Sequence, residues 1–109
     1  MDKEGMLWIV GTEVIKNAAT ETEFNQWYDE EHLPSLTSRL PQIRKVERYR
    51  VVEQQKYQPR YVAIYQLDDL TAYKEVIASP VIMKAREDWE KHWTGKASIR
   101  LSWLYKRIY

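Results

Sequence analysis

The chain has no cysteine and, in 109 residues, only three glycines and four prolines. Without cysteine there is no disulfide framework, no thiol nucleophile and no Cys-ligated zinc or iron–sulfur centre. Three scattered glycines cannot make a loop that cradles phosphates, and no serine sits in a nucleophile-elbow pattern. An excess of one charge sign is also missing. Lys and Arg number 17 against 16 Asp and Glu, a net of +1 with no like-charge block, which argues against a surface built to neutralise nucleic-acid phosphates. A membrane span needs about 20 apolar residues, and every apolar run here is shorter. Met1-Asp2-Lys3-Glu4-Gly5 lacks the apolar core of a signal peptide. The expectation is one soluble, cytoplasmic domain over residues 1–109, folding with roughly two-thirds of its extended surface buried.

Aromatic residues are plentiful: five Trp, eight Tyr and one Phe. Each ring buries about 150–250 Å², more in total than a core this small requires. Rings with polar tips serve a subunit interface or a ligand pocket as well as a core, and composition leaves these open.

Met6 to Val14 is β-rich and apolar on both faces, the pattern of a strand covered on both sides. Thr20 and Glu23 have capping-box spacing, and Phe24, Trp27 and Tyr28 then fall on one helical stripe. Pro34 is expected to end that helix at Leu33, with a short turn following before Pro41. Ile43–Glu53 and Tyr61–Leu67 read as strands of an antiparallel hairpin around the polar turn 54–59. Asp68 or Asp69 caps a short helix through Ala78, and Ser79-Pro80 starts another carrying Ile82, Ala85, Trp89 and Trp93 on one face. Gly95 ends it. Ile99–Tyr109 is a last strand with apolar odd positions Ile99, Leu101, Trp103 and Tyr105. The order β-α-β-β-α-β predicts an α+β, ferredoxin-like antiparallel sheet with both helices on one face. The other face, also apolar, calls for a partner, and sheet-to-sheet homodimerisation is the expected solution.

The densest polar and aromatic segment is residues 24–34, FNQWYDEEHLP. Phe24, Tyr28 and His32 share one helix face at i, i+4 and i+8. At a helix end before Pro34, His32 is expected to have a raised pKa from the helix dipole. Two readings are open from the residues: a histidine capping the last carbonyls, or an acid–base group acting on a ligand between helix and sheet. Asp29, three residues earlier, would orient the imidazole if the side chains meet.

This segment resembles the F-N-x-W-Y-(D/N)-x-x-H-(L/I/V)-P stretch of many dimeric α+β barrel proteins, near the EthD-like group. The resemblance implies two ferredoxin-like subunits joined through their sheets, each with its own pocket between sheet and helices. It also implies Trp27, Tyr28, Asp29 and His32 as motif residues and His32 as a pocket residue. The superfamily contains cofactor-free cyclases, isomerases, dehydratases and monooxygenases, haem-degrading enzymes, and members without assigned activity. His92, flanked by Trp89 and Trp93, invites a haem reading, but the first strand offers Thr12 and Glu13 where those enzymes have asparagine.

The expected function is therefore a cofactor-independent lyase or isomerase acting on a hydrophobic aromatic or polyketide-like carbonyl compound. Catalysis would rest on His32, Tyr28 and Asp29, and substrate binding on Trp8, Arg48, Tyr65 and Trp103. No metal, nucleic acid or membrane is called for. Alternatives are a cofactor-free monooxygenase of the same fold and a non-catalytic dimeric module that binds a small ligand. Arg44, Arg48 and Arg50 share a strand face, as a wet edge or as anion ligands. Tyr49, Tyr61 and Tyr65 are candidates to point a phenol into a cavity.

Overall fold

Four antiparallel strands form one sheet in the order β2-β3-β1-β4. The computed structural model describes residues 5–109; the reading of Met1–Glu4 lies outside them. β1 is Met6–Val14, β2 Lys45–Arg50, β3 Tyr61–Leu67 and β4 Ala97–Lys106. Helices α1 (Ala18–Trp27), α2 (Leu33–Arg39), α3 (Leu70–Ala78) and α4 (Pro80–Trp93) complete the ferredoxin-like order, with a π-helical turn at Tyr28–His32 joining α1 to α2. No helix among the described residues is long and apolar enough to cross a membrane.

The core lies between sheet and helices, where alternation in β1 and β3 sends one set of side chains inward. Trp8, Val10, Thr12 and Val14 from β1 and Tyr61, Ala63, Tyr65 and Leu67 from β3 are buried with Phe24, Tyr28, Leu36, Val76, Ile82 and Trp93. The opposite face is uncovered and carries Leu7, Tyr49, Trp103 and Tyr105, all at least a third exposed. At Gly11 the backbone comes so close to the β2–β3 loop that an added Cβ would lie 2.6 Å from Pro59 Cγ, so glycine is needed there.

Some sequence expectations hold and others change. α1 is capped by Asn17, whose side chain accepts from the Thr20 amide at 3.0 Å, three residues before the expected capping box. Asp69, not Asp68, caps α3, and Ser79 caps α4; Asp68 is paired with Arg44. Gly95 ends α4 at φ 84°. The second strand is shorter than expected, and the last runs from Ala97 to Lys106. In β4 the register against β1 shifts between Gly11, paired with Leu101, and Thr12, paired with Ile99. That bulge splits the apolar odd positions: Ile99 turns to the helix side while Leu101, Trp103 and Tyr105 face outward.

The main correction is at Pro34, which does not end the helix. The Leu33 amide donates to the Tyr28 carbonyl, an i→i−5 bond, and the chain winds through Pro34 to Arg39. Proline lacks an N–H but is tolerated in the first turn of a helical segment, and the wider π turn lets α2 begin there.

Candidate functional site

Phe24, Tyr28, His32 and Leu36 recur every four residues. In a regular α-helix of 3.6 residues per turn, each such step drifts about 40°, so three steps would carry Leu36 about 120° off the Phe24 face. The π turn takes back that drift. Phe24, Tyr28 and Leu36 are all buried, and Tyr28, His32 and Leu36 line one cavity of about 380 Å³. Its other walls are Trp8, Val10 and Tyr65 from the sheet, Ile82, Ala85, Arg86, Trp89 and Glu90 from α4, and Ile99 and Ser102 from β4. Most of this lining is apolar or aromatic, as in small-molecule sites.

His32 stacks on Trp27, with ring centroids 4.9 Å apart and planes at 22°, and meets Tyr28 edge-on at 4.8 Å. Burial, and secondarily the Arg48 charge, pull its pKa down from 6.5 to about 4. The imidazole is thus neutral at neutral pH, opposite to the rise expected from a helix end, because His32 lies inside a continuous helical run and not at its terminus. His32 also borders an outer groove with Trp27, Glu31, Ser35, Asp88 and His92, so it forms part of the wall between cavity and exterior. No side-chain hydrogen bond among the described residues occupies its ring nitrogens.

Asp29 does not orient the imidazole. It projects outward and accepts from Arg48 Nη1 at 2.8 Å. Arg48 is the better-placed partner: its side chain is 13% exposed, its Cζ lies 4.2 Å from the Tyr28 ring centroid, and Nη2 donates to Asn25 Oδ1 at 2.9 Å. It stands behind Tyr28 and does not itself line the cavity. A polar chain continues from Asn25 Nδ2 to the Tyr61 hydroxyl, which donates to Glu21, and Arg60 then bridges Glu21 and Glu13. The Tyr61 hydrogen bond foremost, then the Arg60 and Arg50 charges, hold the Glu21 carboxyl below its ordinary value against the opposing effect of burial.

Tyr28 and Tyr65 both line the cavity, and burial raises the pKa of both, Tyr65 strongly. Trp8 packs 4.8 Å from Tyr65, and its indole N–H donates to Ser102 Oγ at 2.9 Å.

Of the residues chosen from sequence, His32, Tyr28, Trp8 and Tyr65 meet in the cavity. Trp103 does not; it pairs with Ile9 on the open face and is 53% exposed. Tyr49 also lies on the open face, 49% exposed. Tyr61 points its hydroxyl into the ionic network. Arg44 and Arg50 stay at the surface. His92 is exposed, its Nδ1 2.8 Å from the Asp88 carbonyl oxygen. Sequence reasoning missed Ser102 and Arg86 as lining residues and Asn25 as the clamp on Arg48. The α4 stripe of Ile82, Ala85 and Trp89 was the available signal for that wall. Among the described residues no three His, Cys, Asp or Glu side chains gather as a metal site would require.

No protein-family model and no curated protein sequence matches the chain. Solved structures do. One is an EthD family protein from Bacillus halodurans, with TM-score 0.68 and 15% identity over 96% of this chain and 99% of that one. SnoaB, a cofactor-independent oxygenase from Streptomyces nogalater, gives 0.65 and 14% over 97% and 95%. The hydroxynitrile lyase from Passiflora edulis gives 0.71 and 8% over 97% and 95%. A Bacteroides fragilis protein described as dimeric, ferredoxin-like and of unknown function gives 0.66 and 15% over 94% and 95%. At these identities the likeness is one of fold, and it is the fold expected from the element order.

Proposed function

We propose that the chain is a small cofactor-independent enzyme of lyase or isomerase type, carrying out acid–base chemistry on a hydrophobic aromatic or polyketide-like carbonyl compound. One observation carries this reading: a neutral imidazole, His32, on the wall of an apolar cavity beside the Tyr28 phenol. In the reaction, His32 removes a proton from the carbon next to the carbonyl. The C–H bond breaks, an N–H bond forms, and the electron pair moves onto the carbonyl oxygen, which accepts from Tyr28. Returning the proton to another carbon gives an isomerase; expelling a leaving group gives a lyase. Trp8 and Tyr65 serve as aromatic walls. The likeness to a hydroxynitrile lyase supports a lyase on this fold.

The likeness to a cofactor-independent oxygenase favours a second reading, in which the carbanion reduces dioxygen. Incubating the protein with aryl ketones in D2O, with NMR of the α-proton, tests both. Wild type is expected to exchange the proton, and His32→Gln to lose roughly 10²–10⁴ of that rate, the usual contribution of a general base. Dioxygen consumption marks the oxygenase. Ligand-induced thermal stabilisation with neither exchange nor consumption overturns both and leaves a binding module.

We further infer that two copies pair through the open sheet face. Leu7, Trp103 and Tyr105 form an exposed apolar band there, and similar folds are described as dimeric.

A further inference from the structure

We propose, building on the acid–base reading, that the cavity holds its ligand as an oxyanion, an enolate or phenolate whose oxygen rests on the Tyr28 hydroxyl, with Arg48 as the fixed countercharge behind the ring. Arg48 is a positioning residue: it reaches the cavity only through Tyr28. Its guanidinium lies 4.2 Å from the Tyr28 ring centroid and 5.2 Å from that of Tyr61. A cation over an aromatic face draws electron density from the ring, which makes the phenol a stronger donor. Arg48 cannot swing away, because Asp29 and Asn25 hold its two terminal nitrogens at 2.8 and 2.9 Å and Asn25 is itself tied to Tyr61.

The charges do not cancel toward the cavity. Arg48 is 13% exposed, whereas its partner Asp29 is 58% exposed and screened by solvent. The remaining charged groups are Arg86 and Glu90, of opposite sign and one turn apart on α4, and Asp88, which acts on His32. Tyr28 and Tyr65 both line the cavity, and the Tyr28 phenol, with Arg48 against its ring, has one proton to donate to the ligand. A proton leaving an enolisable ligand goes to His32, and the new negative charge lies on the Tyr28 oxygen's side, next to the buried cation.

The probe is 4-nitrophenol, whose absorbance reports ionisation, with 4-nitroanisole as the form that cannot ionise. An apolar cavity alone raises the pKa of a bound phenol, whereas a nearby cation lowers it. Bound nitrophenol is expected to titrate about one unit below its free value in wild type, to titrate above it in Arg48→Gln, and to recover in part in Arg48→Lys. Nitroanisole binding should be the same in all three. The wild-type titration decides even if the Arg48 variants fail to fold: a bound pKa at or above the free value overturns the inference, as does an unchanged value in a folded Arg48→Gln. If neither probe binds, the acid–base reading falls with it. Binding of nitrophenol as the neutral form overturns only the oxyanion.

Discussion

Desolvation and the Arg48 charge hold His32 neutral to about pH 4, and this has a thermodynamic consequence. Between about pH 6.5 and 4 the unfolded chain binds a proton that the folded chain does not, so stability falls as pH falls through that window and is fully present above it. The effect is at most about 3 kcal/mol, from 1.36 kcal/mol per unit. Denaturant unfolding at pH 7.0 and 4.5 checks it: wild type should lose stability between the two, and His32→Gln should lose less. With His32 as the proposed base, kcat/KM for α-proton exchange should likewise fall on the acid side near pH 4 rather than near 6.5. Trp27 sets this environment, since it stacks on His32 and packs against Tyr28, Trp89 and Trp93. Trp27→Ala should cost about 3 kcal/mol, the low end for a large buried aromatic because Trp27 is only half-buried. It should also raise the His32 pKa in an NMR titration, since the imidazole loses its cover.

The π turn is the element on which the site depends. One residue too many for an α-helix keeps Tyr28, His32 and Leu36 on one face, and such turns recur at functional sites. Deleting exposed Glu30 should restore regular α-helical winding through the segment. Circular dichroism should then show a folded protein of similar or higher melting temperature, because Phe24 and Leu36 keep their packing. α-Proton exchange should fall, because the deletion brings Tyr28 and His32 from four residues apart to three and so changes the spacing of phenol and imidazole that the π turn sets. Equal activity in the deletion variant would show that the turn has no part in placing them.

Across the whole molecule, a single layer of helices on a single sheet leaves a flat body of 46 × 32 × 18 Å. Its accessible surface is 7559 Å², against roughly 6,400 Å² for a compact monomer of this mass. The excess fits an open sheet face, as the proposed pairing of two copies requires. Light scattering at micromolar concentration should give twice 13.2 kDa, with well over 1,000 Å² buried in the interface. Trp103→Glu, a charge in the middle of that face, should shift the protein toward monomer while leaving the His32 cavity on the other side of the sheet intact.

What the amino-acid sequence determines by itself is local and periodic. Alternation in β1 and β3, Ser79-Pro80 at the start of α4 and Gly95 at its end are properties of neighbouring residues and suffice for the fold, while the four-residue spacing of Phe24, Tyr28 and His32 marks the helix face that the π turn then aligns. The tertiary structure decides what depends on distant partners. Whether Pro34 breaks or continues the helix turns on the packing of Leu36 and Leu40 into the core. Which face Trp103 takes turns on a bulge set by pairing with β1. Whether Asp29 serves His32 or Arg48 turns on Arg48 of β2, nineteen residues away in sequence, reaching the π turn. The His32 charge state follows the same rule: a helix end would have raised its pKa, but burial among Trp27, Tyr28 and Trp89 and the approach of Arg48 lower it, because desolvation and a like charge act through space.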